Sequence, residues 1–233
     1  MFISGIQKFT VLDYPEKTAC IIFTPGCNFR CGYCHNPEFV LPEKIKELQH
    51  SFFTEEPVLR FLTERKGKLD GVVISGGEPT LQKDLLDVMK KIKDMGFLVK
   101  LDTNGSNPEV LAAAYDQELI DYVAMDLKSD VAGYGGLVGP AGDATRIQKS
   151  IALIMSKEIP YEFRSTLVKD IHSEASLKDM AEMIAGAKKW YGQTFRPGKT
   201  LDLAFAEYQA FLPSEMNGIQ KIFAEKVQEA FIR

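Results

Sequence analysis

The sequence predicts an α/β chain whose parallel strands form a partial, TIM-like (β/α)6 barrel. Three observations lead there. Six short apolar runs alternate with segments of helical spacing. Such alternation implies parallel pairing through right-handed crossovers. A closed eight-unit barrel uses about 250 residues plus insertions, so 233 residues with a long first connection indicate an open barrel.

In chain order, strands are expected at Ala19–Thr24, Gly71–Ser75, Leu98–Asp102, Tyr122–Leu127, Tyr161–Leu167 and Tyr191–Phe195. Between them, Leu81, Leu85, Val88, Ile92 and Met95 space as one helical stripe, and Ile147, Ile151 and Ile154 as another. Residues 1–18 read as an amino-terminal extension. Residues 204–233 read as a helical closure, with Ile219, Ile222, Phe223, Val227 and Ala230 on one face of a helix from Ser214 to Ile232. The chain as a whole, 1–233, is expected to be a single domain, long enough to bury a sizeable core. The stretch "GYGGLVGPAGDATR" lacks the residue order of a phosphate loop and reads as a flexible connection.

Apolar residues make up 45% and charged residues 26%, with 28 basic against 32 acidic side chains, which points away from nonspecific nucleic-acid binding. The first residues lack the pattern of a secretory leader, and no run of 18 uncharged apolar residues follows. A cytoplasmic protein with no membrane partner is expected. Cys27, Cys31 and Cys34 cluster in "FTPGCNFRCGYCHN", and in a reducing compartment that spacing favours a metal or cluster over a disulfide. Cys20, inside "ACIIF", reads as core packing.

The polar and glycine-rich groups fall at the carboxyl ends of the expected strands: the cysteine loop, "SGGEP", "LDTNG", "MDLKS", "FRST" and "TFRP". In a parallel sheet that edge is where ligands bind. A closed zinc site wants four ligands, and the near candidate, His35, directly follows Cys34, so it could join only through a sharply bent backbone. A cubane iron–sulfur cluster held by three thiolates instead leaves one iron open to a small molecule. Asp126 and Lys128, two apart, share one face of a strand, and charges ending an apolar strand need partners. With three histidines in all, imidazole acid–base chemistry is not expected, and no side chain is assigned as catalytic.

"CNFRCGYC" resembles the Cys-x-x-x-Cys-x-aromatic-Cys signature of the radical S-adenosylmethionine (radical SAM) enzymes. "GIQKFTVLDYP" followed by "FTPGCNFRCGYCHNP" resembles the opening of the glycyl-radical-enzyme activating enzymes, above all the long form of the activators of anaerobic (class III) ribonucleoside-triphosphate reductase. The resemblance implies a (β/α) barrel with a [4Fe–4S] cluster on Cys27, Cys31 and Cys34, its open iron chelated by S-adenosylmethionine. It places Tyr33 at the adenine, Gly76, Gly77 and Glu78 at the methionine amino group, and Asp126, Lys128 and Arg164 toward the cofactor, with the lysine meeting its carboxylate. It also offers Asp102, Thr103 and Asp126 to a monovalent cation, and leaves the cofactor contact near Phe195 and Arg196 unassigned.

The implied reaction is reductive cleavage of S-adenosylmethionine, driven by a flavodoxin or ferredoxin, with hydrogen abstraction from a glycine of the reductase. Alternatives are an activator of formate acetyltransferase or another glycyl-radical enzyme, a radical SAM enzyme acting on a small molecule, and an iron–sulfur electron-transfer protein. An open iron beside "GGEP" speaks against the last, for which four cysteines are usual.

Overall fold

The computed structural model describes residues 1–233. It contains eight strands, β1–β8, hydrogen-bonded in chain order in one mixed sheet, and eight α-helices, α1–α8. The chain divides into two compact units.

The first unit comprises residues 1–28, 38–103 and 109–123. It holds β1 (Gly5–Thr10), β2 (Ala19–Thr24), β3 (Gly71–Gly76), β4 (Leu98–Thr103) and the first residues of β5 (Tyr122–Asp126). Its helices are α1 (Pro42–Leu48), α2 (Glu55–Arg65), α3 (Leu85–Asp94) and nearly all of α4 (Pro108–Asp116). β2 and β3 pair in parallel from Ala19↔Gly71 to Thr24↔Gly76, and β4 joins β3 in the same sense. Their cores are near-continuous apolar runs because a parallel sheet is covered on both faces. α3 buries Leu85, Val88, Met89 and Ile92. Leu81 departs from the predicted stripe: it ends a separate 3-10 turn, Pro79–Leu81, and Gln82 then adopts extended backbone that stops the turn from running into α3.

Eight strands replace the predicted six, one added at each end. β1 lies within the supposed extension and runs antiparallel to β2, from Gly5↔Phe23 through Gln7↔Ile21 to Thr10↔Ala19, with a shift of register after Gln7. Its Gln7, Lys8 and Phe9 are exposed, so it lacks the apolar run by which the parallel strands are recognised. The register shift and the lysine also blunt an exposed sheet edge.

The second unit comprises residues 29–37, 104–108 and 124–233. It holds the end of β5, β6 (Tyr161–Leu167), β7 (Lys189–Thr194), β8 (Glu229–Ile232), α5 (Tyr134–Val138), α6 (Ala144–Ser156), α7 (Glu174–Met183) and α8 (Pro213–Ala224). β6 and β7 pair in parallel from Phe163↔Trp190 to Leu167↔Thr194. Ile147, Ile151 and Ile154 line the buried face of α6, as their spacing predicts. The predicted closing helix is shorter than expected. α8 ends at Ala224, the chain turns through Val227, and β8 then pairs in parallel with β7. Trp190 of β7 stacks on Phe223 of α8 with ring centroids 3.6 Å apart, which anchors the helix before the turn. No helix is long and apolar enough to cross a membrane.

Candidate functional site

The cysteine loop passes from the first unit to the second after Asn28, so Cys27 belongs to one and Cys31 and Cys34 to the other. In the second unit the loop is braced by its main chain. Arg30 N–H donates to the Val138 carbonyl (2.8 Å), Cys34 N–H to the Cys31 carbonyl (3.0 Å), Leu201 N–H to the Cys34 carbonyl (2.8 Å) and Asp202 N–H to the Gly32 carbonyl (3.0 Å). A Cβ at Gly32 would run into the Phe205 ring, which gives the glycine of "CGYC" a steric reason. Tyr33 packs its ring near Phe205, at 6.2 Å between centroids, and its buried hydroxyl has no hydrogen-bond partner. Burial pushes the Cys31 thiol pKa up, against the pull of Lys128.

Asp126 ends β5 and Lys128 lies two residues beyond, with Lys128 Nζ 3.2 Å from Asp126 Oδ2. Arg164 Nε on β6 donates to Asp126 Oδ1 at 2.9 Å. Two cations thus surround one carboxylate. Burial alone would raise the Asp126 pKa, but Arg164 and then Lys128 outweigh it and hold the carboxyl at about 2. Burial likewise works against the Lys128 ammonium, yet Asp126 keeps its pKa well above the ordinary lysine value.

The peptide of Lys128 is clamped from both sides. Its N–H donates to the Tyr134 hydroxyl (3.1 Å), and its carbonyl faces His172 Nε2 (3.0 Å). A carbonyl can only accept, so Nε2 carries the proton and donates to Lys128, while Nδ1, 2.9 Å from Val168 N–H and 3.1 Å from the Val168 carbonyl, accepts from that N–H in the neutral ring. Burial depresses the pKa of this imidazole, keeping it neutral. Sequence reasoning missed both clamps because they act on main chain rather than on a motif. Tyr134, in the Gly-rich connection, is fully buried, so that segment is anchored. His35 Nδ1 lies 3.1 Å from the Lys199 carbonyl, and Phe195 is buried beside the His35 ring.

In the first unit "SGGEP" closes on the start of the cysteine loop. Gly77 N–H donates to the Thr24 carbonyl (2.9 Å) and Glu78 N–H to the Gly26 carbonyl (2.7 Å). Gly76 has φ +120°, and a Cβ on Gly77 would collide with the Gly26 carbonyl, so both positions require glycine. The Glu78 side chain is buried, and its Oε1 accepts from Thr80 N–H (3.1 Å) and from the Thr103 hydroxyl (2.8 Å). Asp102 Oδ1 holds the Lys100 ammonium at 2.5 Å and Oδ2 accepts from Ser75 Oγ at 3.1 Å. Cys20 is fully buried in β2, and burial pushes its thiol up to about 12, consistent with packing.

The pattern of the radical SAM superfamily matches residues 21–184. The chain belongs to the radical SAM superfamily. Over 236 aligned positions it is 34% identical to a Methanocaldococcus jannaschii protein named as a candidate glycyl-radical enzyme activating enzyme, covering 99% of this chain and 95% of that one. It is 34% identical to the pyruvate formate-lyase-activating enzyme of Clostridium pasteurianum over 53% of this chain and 53% of that enzyme. The crystal structure of Streptococcus suis SuiB matches with a TM-score of 0.63 at 14% identity, over 91% of this chain and 48% of SuiB, a likeness of fold. This radical SAM enzyme is thus a partial α/β barrel of the superfamily's type, carrying eight strands where six were expected.

Membership implies a [4Fe–4S] cluster and S-adenosylmethionine. No three His, Cys, Asp or Glu side chains stand together at metal-holding distances in this structure. The donor set nevertheless fits the pair of cofactors: three thiolates suit iron, and the two cations about Asp126 and the orphaned Tyr33 hydroxyl suit a ligand with a carboxylate and polar rings.

Proposed function

We propose that this chain activates a glycyl-radical enzyme. The observation that carries the reading is the 34% identity to a candidate activating enzyme across nearly the full length of both chains. The matched superfamily region runs through both compact units, which supports a single functional domain from residue 1 to residue 233. Cys27, Cys31 and Cys34 would hold the cluster, and when bound the cluster and S-adenosylmethionine supply the one-electron chemistry that removes a glycine hydrogen.

The chain's own residues bind and orient. Lys128, its peptide fixed by Tyr134 and His172, presents an ammonium to the methionine carboxylate, while Asp126 holds Lys128 and Arg164 together against their mutual repulsion. The "GGEP" turn offers backbone at Gly76 and Gly77, where side chains are excluded, and the Glu78 carboxylate braces that turn through Thr80 and Thr103. Tyr33 closes the adenine side and gains a partner for its hydroxyl. A flavodoxin or ferredoxin is the electron source that fits this chemistry, in the cytoplasm.

On the partner, relatives named pyruvate formate-lyase-activating enzymes support a lyase of that type, each over about half of the chain. The opening "GIQKFTVLDYP" favours anaerobic ribonucleoside-triphosphate reductase as the second reading. The test presents the reconstituted, reduced enzyme and S-adenosylmethionine with equal amounts of each protein under anaerobic conditions and follows the glycine-centred electron paramagnetic resonance signal. A signal in one names the partner. Cofactor cleavage that yields no signal in any glycyl-radical protein, but accelerates with a small metabolite that is itself modified, rejects the activating function.

A further inference from the structure

Lys100 stands in the middle of β4 with 1% of its side chain exposed, a place almost never given to a lysine without a partner. Its ammonium lies on Asp102 Oδ1 at 2.5 Å, with the Tyr122 ring centre 5.8 Å away. The second oxygen of the same carboxylate accepts from Ser75 Oγ at 3.1 Å. Two apart on one strand, Lys100 and Asp102 project from the same face, so the ammonium reaches its carboxylate without leaving β4.

Asp102 and Thr103, with Asp126, are the oxygens that the sequence resemblance offers to a monovalent cation. They do not fit a free ion. Carboxylates hold a cation when their charge is not already neutralised, yet Lys100 sits on Asp102 and, in the other unit, Arg164 and Lys128 sit on Asp126. Within its own unit each carboxylate already holds a cationic side chain, so an added ion at Asp102 would meet an ammonium where it needs an anion.

We propose that Lys100 is a built-in cation: its ammonium takes the counter-ion position at Asp102 that a free monovalent cation would otherwise fill, and the enzyme needs no such ion. The tether makes this stable. A lysine two residues from its carboxylate is present at an effective concentration that no dissolved salt needs to match, and as a compact point charge it resembles a small monovalent ion more closely than arginine would.

The test follows the melting temperature of the anaerobically reconstituted enzyme in potassium or sodium chloride against tetramethylammonium chloride at equal ionic strength. The wild type should melt within about 1 °C in all three, since no ion binds the folded chain in preference to the unfolded one. Lys100→Met removes the ammonium that sits on Asp102 and should acquire a saturable potassium or sodium response, a rise in Tm of about 5 °C or more once the ion exceeds its Kd roughly a hundredfold. The double variant Lys100→Met/Asp102→Asn removes both charges and should again ignore the salt. If Lys100→Met fails to fold in every salt, potassium and sodium chloride included, while the double variant folds, neither ion can take the place of the ammonium and the proposal is overturned. A saturable potassium or sodium response in the wild type that Asp102→Asn abolishes would overturn it, as would a folded Lys100→Met enzyme indifferent to both ions. None of these readings depends on which partner is activated.

Discussion

Two adjacent strands carry the same three residue types in opposite order, Lys100-Leu101-Asp102 on β4 and Asp126-Leu127-Lys128 on β5. On β4 the lysine comes first, deep in the strand, and closes on a carboxylate nearer the strand end. On β5 the carboxylate comes first and the lysine lies just past the strand end, where Arg164 joins it, two cations against one carboxylate. Reversing the order therefore places one ammonium inside the strand and the other past its end, beside a second cation. Residue types alone do not make that distinction; position along the strand does.

The comparison breaks first at Lys128. Lys128→Ala should weaken S-adenosylmethionine binding on the order of 10- to 100-fold, the loss of one charge-assisted contact, while iron per chain stays constant. Equilibrium dialysis with iron analysis reads both, and either unchanged affinity or parallel loss of iron would place Lys128 outside the cofactor's reach.

A smaller effect sharpens the comparison, because only the β5 group is clamped through its main chain by a histidine. His172→Leu should weaken the same binding by about 10-fold, for a lost main-chain hydrogen bond and a freer Lys128. His172→Gln, whose amide can donate to the Lys128 carbonyl, should recover part of it. Combined with Lys128→Ala, the His172→Leu change should add little, since its effect passes through Lys128. Full additivity in that cycle would reduce His172 to a packing residue.

The smallest effect is on stability against pH. Burial lowers the His172 pKa in the folded state below the unfolded value of 6.5, so the unfolded chain takes up the proton first as pH falls. The contribution of neutral His172 is whole above pH 6.5 and declines as pH falls through the folded pKa. Denaturant midpoints measured from pH 7.5 down to 5 should fall less steeply in His172→Gln than in the wild type.

What was legible in the sequence follows the same physics. β2 to β7 could be read because buried parallel strands are apolar runs, and the cysteine trio because three thiols within eight residues stand out in the sequence. β1 escaped, being an edge strand with exposed Gln7, Lys8 and Phe9, and β8 because Val227 and Ala230 continue the helical spacing of α8 past the turn. Asp126 and Lys128 announced themselves as charges at a strand end. Lys100 did not, since a lysine inside an apolar strand is meaningful only when its ammonium is seen to have a partner. Nor did Tyr134 and His172, which hold Lys128 by its backbone.

The braces on the cysteine loop also set an order of events in time. Gly32 and Cys34 are tied to Asp202 and Leu201, and His35 to Lys199, a carbonyl 164 residues further along the chain. A ribosome releases the cysteine loop early and the braces at Lys199, Leu201 and Asp202 near the end of synthesis, so for most of elongation the Gly32 to His35 side of the loop lacks them. Contacts of such long range form late in folding. Chains arrested before Leu201 should accordingly take up less iron per chain than finished ones, measured on released nascent chains.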